Sequence, residues 1–298
     1  MATMQRLART LPTATQQVPR VPSISRLAVS NPTISSHHDH LRTVHNTLQR
    51  AGVLHIQLGF QDDKSTYLHE LLLNLHRYHG HGLPISHSSD RGWMWDIRPS
   101  SETFQSQNTR ARSETMEEFP WHTDCSYERS PPQYFALQVL QPDRCGGGTL
   151  SILNVEEVLL LLSRSTLEAL FSPSFQITVP PEFVKSQADT KIVGGLLATR
   201  PETNTIKLRF REDIVVPLTS QASAALAELK LVLMGPDARS RVLNLEATSL
   251  PRGSIILMDN GRWLHARNEI KDPGRHLRRV RWDARQFVSP STAAALGL

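Results

Sequence analysis

Leu41, Val44 and Leu48 recur at intervals of three and four residues, which puts them on one face of a helix that Asp39 can cap at its start and Gly52 can end. The pattern then changes to alternation. In 53–60 the apolar residues Leu54, Ile56, Leu58 and Phe60 alternate with more polar ones, as a half-buried strand requires. Leu68, Leu71, Leu72 and Leu75 return to helical spacing, and that stripe breaks down between Gly80 and Pro84. From Tyr134 onward the chain reads as β. Strands are predicted over 134–140 and 149–153, joined by the turn Cys145-Gly146-Gly147-Gly148, and again over 176–179, 206–210, 254–259 and 278–284. Asn154 with Glu157, and Ser165 with Glu168, have capping-box spacing ahead of leucine-rich stretches, and a longer helix spans about 221–234. Short strands with helices at the front and in one insert predict an α+β, mainly β fold: a double-stranded β-helix (jelly roll, cupin-like). With no internal repeat or dividing linker, 37–298 reads as a single domain behind a flexible leader over 1–36.

Composition narrows the classes of function. The chain has 298 residues, 39% of them hydrophobic, enough for a sizeable core. Its formal charge of +5 comes from scattered basic residues with one concentration over 275–285, and no nucleic-acid-binding motif accompanies it. A nucleic-acid partner is therefore not expected. Two cysteines, Cys125 and Cys145, are too few for a disulfide framework and suit a reducing compartment. No apolar run approaches the roughly 20 residues that cross a bilayer, so no membrane association is expected. The leader has no acidic residue before Asp39 and carries Arg6, Arg9, Arg20 and Arg26 among many Ser and Thr. Mitochondrial transit peptides share that composition, but Pro12 cuts short any amphipathic helix. A cytoplasmic setting is the expectation, with a mitochondrial one kept open.

Candidate chemistry begins at Phe119-Pro120-Trp121-His122-Thr123-Asp124. On an extended backbone His122 and Asp124, two residues apart, project to the same side and can chelate a metal. His265, just past the predicted strand 254–259, can complete a two-histidine, one-carboxylate face with positions left open. Other histidines are numerous: His37, His38 and His40, then His76, His79, His81 and His87. They lack a carboxylate in ligand register and read as solvated or locally hydrogen-bonded.

The run Trp121-His122-Thr123-Asp124-Cys125-Ser126-Tyr127, followed by Pro131-Pro132, resembles the first metal-ligand segment of the taurine dioxygenase (TauD/TfdA-like) family. Further segments follow in the family's order. Gly147-Gly148-Thr149 is similar to its Gly-Gly-X-Thr turn, Asp259-Asn260 to the pair ahead of its last metal ligand, and Arg275-His276-Leu277-Arg278-Arg279 to its closing paired-arginine strand. Arg200-Pro201-Glu202-Thr203 and Pro251-Arg252-Gly253 resemble family turns more weakly. The resemblance covers about 40–286.

It implies an oxidoreductase: a dioxygenase that uses Fe(II), 2-oxoglutarate and O2 to oxidise a C–H bond of a small, anionic substrate, releasing succinate and CO2. On this resemblance His122, Asp124 and His265 hold the iron, while Thr149 and Arg275 bind the cosubstrate. Arg279 meets the substrate's anionic group, with Trp95 and Arg98, beside Trp93, bordering its pocket. The interval from His265 to Arg275 is one residue shorter than the family spacing, which leaves Arg278 and Arg279 as alternatives to Arg275; Arg278 should face the opposite side of the strand from Arg279. The competing readings are a non-catalytic cupin-like binding protein, a metal enzyme without 2-oxoglutarate, and an oxygenase of macromolecules. The oligomeric state is open, a homodimer among the options.

Overall fold

The computed structural model describes residues 24–86, 92–99, 111–184, 190–200 and 203–288. Two sheets, with strands numbered along the chain, dominate it. The larger has the order β1-β2-β13-β5-β15-β3 and is formed by β1 (Ser25–Val29), β2 (Val53–Leu58), β3 (Trp95–Ile97), β5 (Pro132–Gln141), β13 (Ser254–Asp259) and β15 (His276–Ala284). The smaller has the order β12-β6-β14-β4, from β4 (Phe119–His122), β6 (Leu150–Asn154), β12 (Leu243–Leu245) and β14 (Trp263–Arg267). A three-stranded sheet of β7 (Phe175–Thr178), β8 (Lys191–Gly194) and β11 (Val215–Pro217) and a hairpin of β9 (Leu197–Arg200) and β10 (Thr205–Leu208) accompany them.

Why Ser254–Asp259 reads Ser-Ile-Ile-Leu-Met-Asp, with no polar alternation, follows from its burial on both faces. Ile255 and Leu257 pack toward α1 (His38–Ala51) and α2 (Thr66–His79), against Leu41, Val44, Leu48, Leu68, Leu71 and Leu75. Ile256 and Met258 face the other way, onto Leu150, Ile152 and Trp263 of the smaller sheet. Each fully buried Leu or Ile here contributes about 1.5–3 kcal/mol of apolar burial. A third cluster unites α3 (Val155–Leu159), α4 (Arg164–Phe171) and α5 (Ser220–Met234) with β7, β9 and β10.

Several expectations need correction. The predicted leader 1–36 is too long, because Ser25–Val29 pairs in parallel with Leu54–Leu58 and Pro32–Ser36 forms a 3-10 turn; Val29 is buried against the α1–β2 core, which holds this segment down. Residues 1–23 of the leader, including Pro12, lie outside the described residues, as do His87, Pro201 and Glu202. Asp39 sits in the first turn of α1 but the cap position is His37, whereas Gly52 ends the helix in the left-handed region at φ 71° as expected. Asn154 caps α3 by accepting from Glu156 N–H at 2.8 Å. α4 is capped by Ser163, two residues before the expected Ser165, and Ser163 accepts from Thr166 N–H at 3.3 Å. The turn at 145–148 joins strands of different sheets, so β5 and β6 are not a hairpin.

Candidate metal centre

His265 lies inside a strand, β14, that the alternation did not reveal. It pairs across the ladder with His122 of β4, and the two ring centroids are 4.0 Å apart. Asp124, two residues beyond His122, brings Oδ1 to 4.0 Å from His122 Nε2 and 3.8 Å from His265 Nε2. One donor atom from each residue lies within 4.8 Å of the other two, and all three residues are buried.

Electrostatics suit a cation. Burial, then the neighbouring His265, drives the His122 imidazole well below its ordinary value; burial lowers His265 to about 4 although Asp124 opposes this. Both imidazoles are therefore neutral, and their contacts to Asp124 are not ion pairs. Burial alone would raise the Asp124 carboxyl, but Arg279 and then Arg281 more than reverse it and hold the group ionised, far below the usual carboxylate range. His122 Nδ1 lies 2.8 Å from Pro120 O; a carbonyl only accepts, so Nδ1 carries the proton and Nε2 presents its lone pair. These three donors suit a divalent transition metal such as iron.

Backbone clamps place the ligands. Asn260 Oδ1 accepts from Asp124 N–H at 2.7 Å, and its Nδ2 donates to Asp124 O at 2.8 Å and Pro132 O at 3.0 Å. Thr123 is stitched to Phe210 by its N–H to Phe210 O at 2.8 Å and by Phe210 N–H to its Oγ1 at 3.0 Å. The preceding Asp259 forms a buried ion pair with Arg200 at 2.7 Å.

The donor atoms open into a cavity between the two sheets, lined by Ile97, Phe135, Leu137 and Leu277 on one side, Phe119, Leu150 and Arg267 on the other, and Arg275 and Arg279. Arg275 is 5% exposed, and its Nη1 has no hydrogen-bond partner among the described residues. Burial, and then Arg267, lowers its pKa to about 10 although Asp143 opposes this, so the guanidinium stays a cation. It is held by the loop that precedes it. Asp143 Oδ1 accepts from the Cys145 and Gly147 N–H groups at 2.8 and 3.1 Å, and its Oδ2 accepts from Lys271 and Asp272 N–H at 2.8 and 3.1 Å. Arg275 N–H in turn donates to Asp272 O at 3.0 Å. A Cβ on Gly148, at φ +65°, would come 2.8 Å from Arg275 Nε, so the glycine leaves the space the guanidinium fills.

Other expected residues divide. Arg279 lines the cavity, donating from Nη1 to Asp124 Oδ1 at 3.3 Å, while its Nε and Nη2 have no partner among the described residues. Arg278 faces the opposite side and bonds Asp96 at 2.6 Å. Trp95 is buried, donates from its indole N–H to Glu114 at 2.8 Å and lies 5.7 Å from the Arg279 guanidinium. Thr149 is half-buried, tied through its backbone to Asn268, and does not line the cavity; Arg98 is exposed and does not line it either. Trp93 stacks on His69. Sequence reasoning missed Asp143 and Arg281, and it named Asn260 without a role. Their signals were an Asp two residues before a turn N–H and, for Arg281, period-two spacing from Arg279.

No protein-family model matches the chain. An L-asparagine oxygenase of Streptomyces coelicolor is 29% identical over 168 residues, which span 56% of this chain and 46% of the relative, about half of its length. Solved structures share the fold. Asparagine oxygenase in complex with Fe(II), 2S,3S-3-hydroxyasparagine and succinate aligns with a TM-score of 0.61 at 18% identity, covering 83% of this chain and 84% of that one. The non-haem iron oxygenase OrfP in complex with Fe and alpha-ketoglutaric acid aligns with a TM-score of 0.61 at 17% identity, covering 84% of each chain.

Proposed function

We propose that this chain is an Fe(II)- and 2-oxoglutarate-dependent oxygenase, similar to the taurine dioxygenase family, acting on a C–H bond of a free amino acid. The two facing sheets are, on this reading, the halves of a double-stranded β-helix. The observation that carries the proposal is the shared cavity: a buried His122, Asp124, His265 donor set opens into the same space as Arg275, a buried cation whose Nη1 has no partner among the described residues. A metal scaffold alone has no use for a buried guanidinium beside its ligands, whereas a chelating dicarboxylate needs one for its distal end.

The residues would divide the work. His122, Asp124 and His265 hold iron and leave positions open for the cosubstrate and dioxygen. Bound iron supplies the activation of dioxygen that is coupled to decarboxylation of 2-oxoglutarate to succinate and CO2. Arg275 orients 2-oxoglutarate by two parallel hydrogen bonds to its distal carboxylate. Thr149 remains a proposed second contact through its hydroxyl. Arg279 offers Nε and Nη2 to the substrate's carboxylate while its Nη1 stays on Asp124. Apolar walls from Phe119, Phe135, Leu137 and Leu277 keep water from the reacting centre. An amino-acid substrate is supported by the relatives, one named an L-asparagine oxygenase and one solved with (3S)-hydroxy-L-Arg.

Anaerobic addition of Fe(II) and 2-oxoglutarate should produce a weak visible charge-transfer band, and a screen of amino acids should reveal substrate-coupled succinate release. Tight iron binding with no such band and no succinate would favour a binding protein instead.

A further inference from the structure

Arg281 lies two residues beyond Arg279 on β15, so both side chains leave the same face of the strand. Its backbone is fixed in mid-sheet, paired with Phe135 of β5 and accepting at its carbonyl from Ile85 N–H at 2.8 Å. Its side chain is buried and donates from Nε to Asp124 Oδ2 at 2.8 Å and from Nη1 to Cys125 Sγ at 3.0 Å. Cys125 adopts φ 53°, a conformation uncommon for a residue with a side chain, and there its sulfur meets the guanidinium. The two carboxylate oxygens of Asp124 thus have separate surroundings. Oδ1 lies 4.0 and 3.8 Å from the two histidine Nε2 atoms and accepts from Arg279 Nη1 at 3.3 Å, whereas Oδ2 accepts the shorter bond from Arg281.

We propose that Arg281 is a positioning residue that holds Asp124 to one-oxygen coordination and so keeps one more metal position open for cosubstrate or dioxygen. The inference rests on the metal-centre reading above. A carboxylate can bind a metal through one oxygen or both. In an octahedral site two imidazoles and one oxygen leave three positions, and a chelating carboxylate would leave two. A 2-oxo acid that chelates needs two of them, and dioxygen needs another. Removing the Nε donor frees Oδ2 to swing onto the metal. The ligand set stays the same but the open face shrinks.

The test uses the full chain loaded with Mn(II), whose bound waters are counted by the broadening of its electron paramagnetic resonance lines in 17O-enriched water. The parent should hold three waters and Arg281→Met two, so that bound 2-oxoglutarate leaves one water on the parent's metal and none on the variant's. Metal affinity should weaken by about 10–100-fold, the usual result of removing a group that orients a ligand. Arg281→Leu covers the case in which Arg281→Met does not fold and should likewise hold two waters, whereas Arg281→Lys, which keeps the charge and a donor nitrogen, should retain three and restore metal affinity toward the parent's. Parent protein that binds no Mn(II) or Fe(II) would defeat the metal-centre reading itself. Parent that binds metal, with a folded Arg281→Met or Arg281→Leu holding the same number of waters and the same 2-oxoglutarate affinity as the parent, would overturn the role of Arg281 alone.

Discussion

His122 and His265 are direct cross-strand partners, one on β4 and one on β14, so the two imidazoles are brought together by a ladder and not by a loop. A site built on paired strands is fixed before any metal arrives. It also survives the loss of one ligand, because the core that supports it lies on the other faces of the same strands. His122→Ala, Asp124→Ala and His265→Ala should each abolish turnover and weaken metal binding severely while leaving circular dichroism close to the parent's. Metal-to-protein ratios after Fe(II) loading check this. A variant that turned over at the parent rate with limiting iron would strike its residue from the ligand set.

Arg275 and Arg279 should separate by titration. Loss of Arg275 leaves a dicarboxylate's distal end uncompensated in a buried site, a cost on the order of 2–5 kcal/mol, or roughly thirty- to several-thousand-fold in 2-oxoglutarate affinity. Arg279→Ala should weaken the primary substrate with 2-oxoglutarate changed little. Lysine at either position should fall short of the parent, because it lacks the planar two-point contact. If Arg279→Ala instead lost 2-oxoglutarate while Arg275→Ala kept it, the two roles would have to be exchanged.

A pH dependence of stability should arise at a buried histidine outside the metal-ligand set. His81 Nδ1 accepts from Trp282 Nε1–H at 3.2 Å, which leaves its Nε2 to donate to His45 Nδ1 at 3.0 Å. Burial first, then the charges of His45 and His79, lowers its pKa from 6.5 to about 3. Between those values the unfolded chain binds the proton and the folded chain does not. Stability from this group is therefore complete above about 6.5 and declines as the pH falls toward 3, by up to about 1.4 kcal/mol per pH unit. Urea melts of the metal-free protein between pH 7.5 and pH 4.5 should show the decline, and His81→Gln should make it shallower. An unchanged slope in that variant would assign the effect to other histidines.

Much of this was legible in the sequence because the relevant periods were clean. Leu41, Val44 and Leu48, and Leu68, Leu71 and Leu75, face one core in the structure as their spacing required. The parity rule also put Arg278 on the opposite side from Arg279, where it bonds Asp96. β14 escaped notice because Trp263–Arg267 is buried at nearly every position and carries His265 and Arg267 where the alternation of a half-buried strand would otherwise appear. Ser25–Val29 was assigned to the leader because its composition is that of a tail; only its parallel pairing with β2 makes it a strand, and pairing between distant segments leaves no local signal. Thr149 followed from a motif match, yet it precedes a strand whose Leu150, not Thr149, lines the cavity.

Asn260 offers the sharpest separation of shape from chemistry. Its amide faces three backbone groups at once, one donor and two acceptors, and two of these belong to Asp124. Asn260→Ala removes the acceptor of that buried N–H and one donor from each of the two carbonyls, a loss of about 1–3 kcal/mol for each group left without a partner that water does not reach. Asn260→Asp is nearly isosteric but removes the donor. Its second carboxylate oxygen would point at Asp124 O and Pro132 O, so an attractive contact becomes a repulsive one. The aspartate variant should therefore be no more stable than the alanine variant, and its metal affinity should fall as the Asp124 backbone loosens. Thermal melts and Mn(II) titrations of both variants measure the two effects separately. Should Asn260→Asp match the parent in melting temperature and in metal affinity, the amide clamp would have no part in placing Asp124.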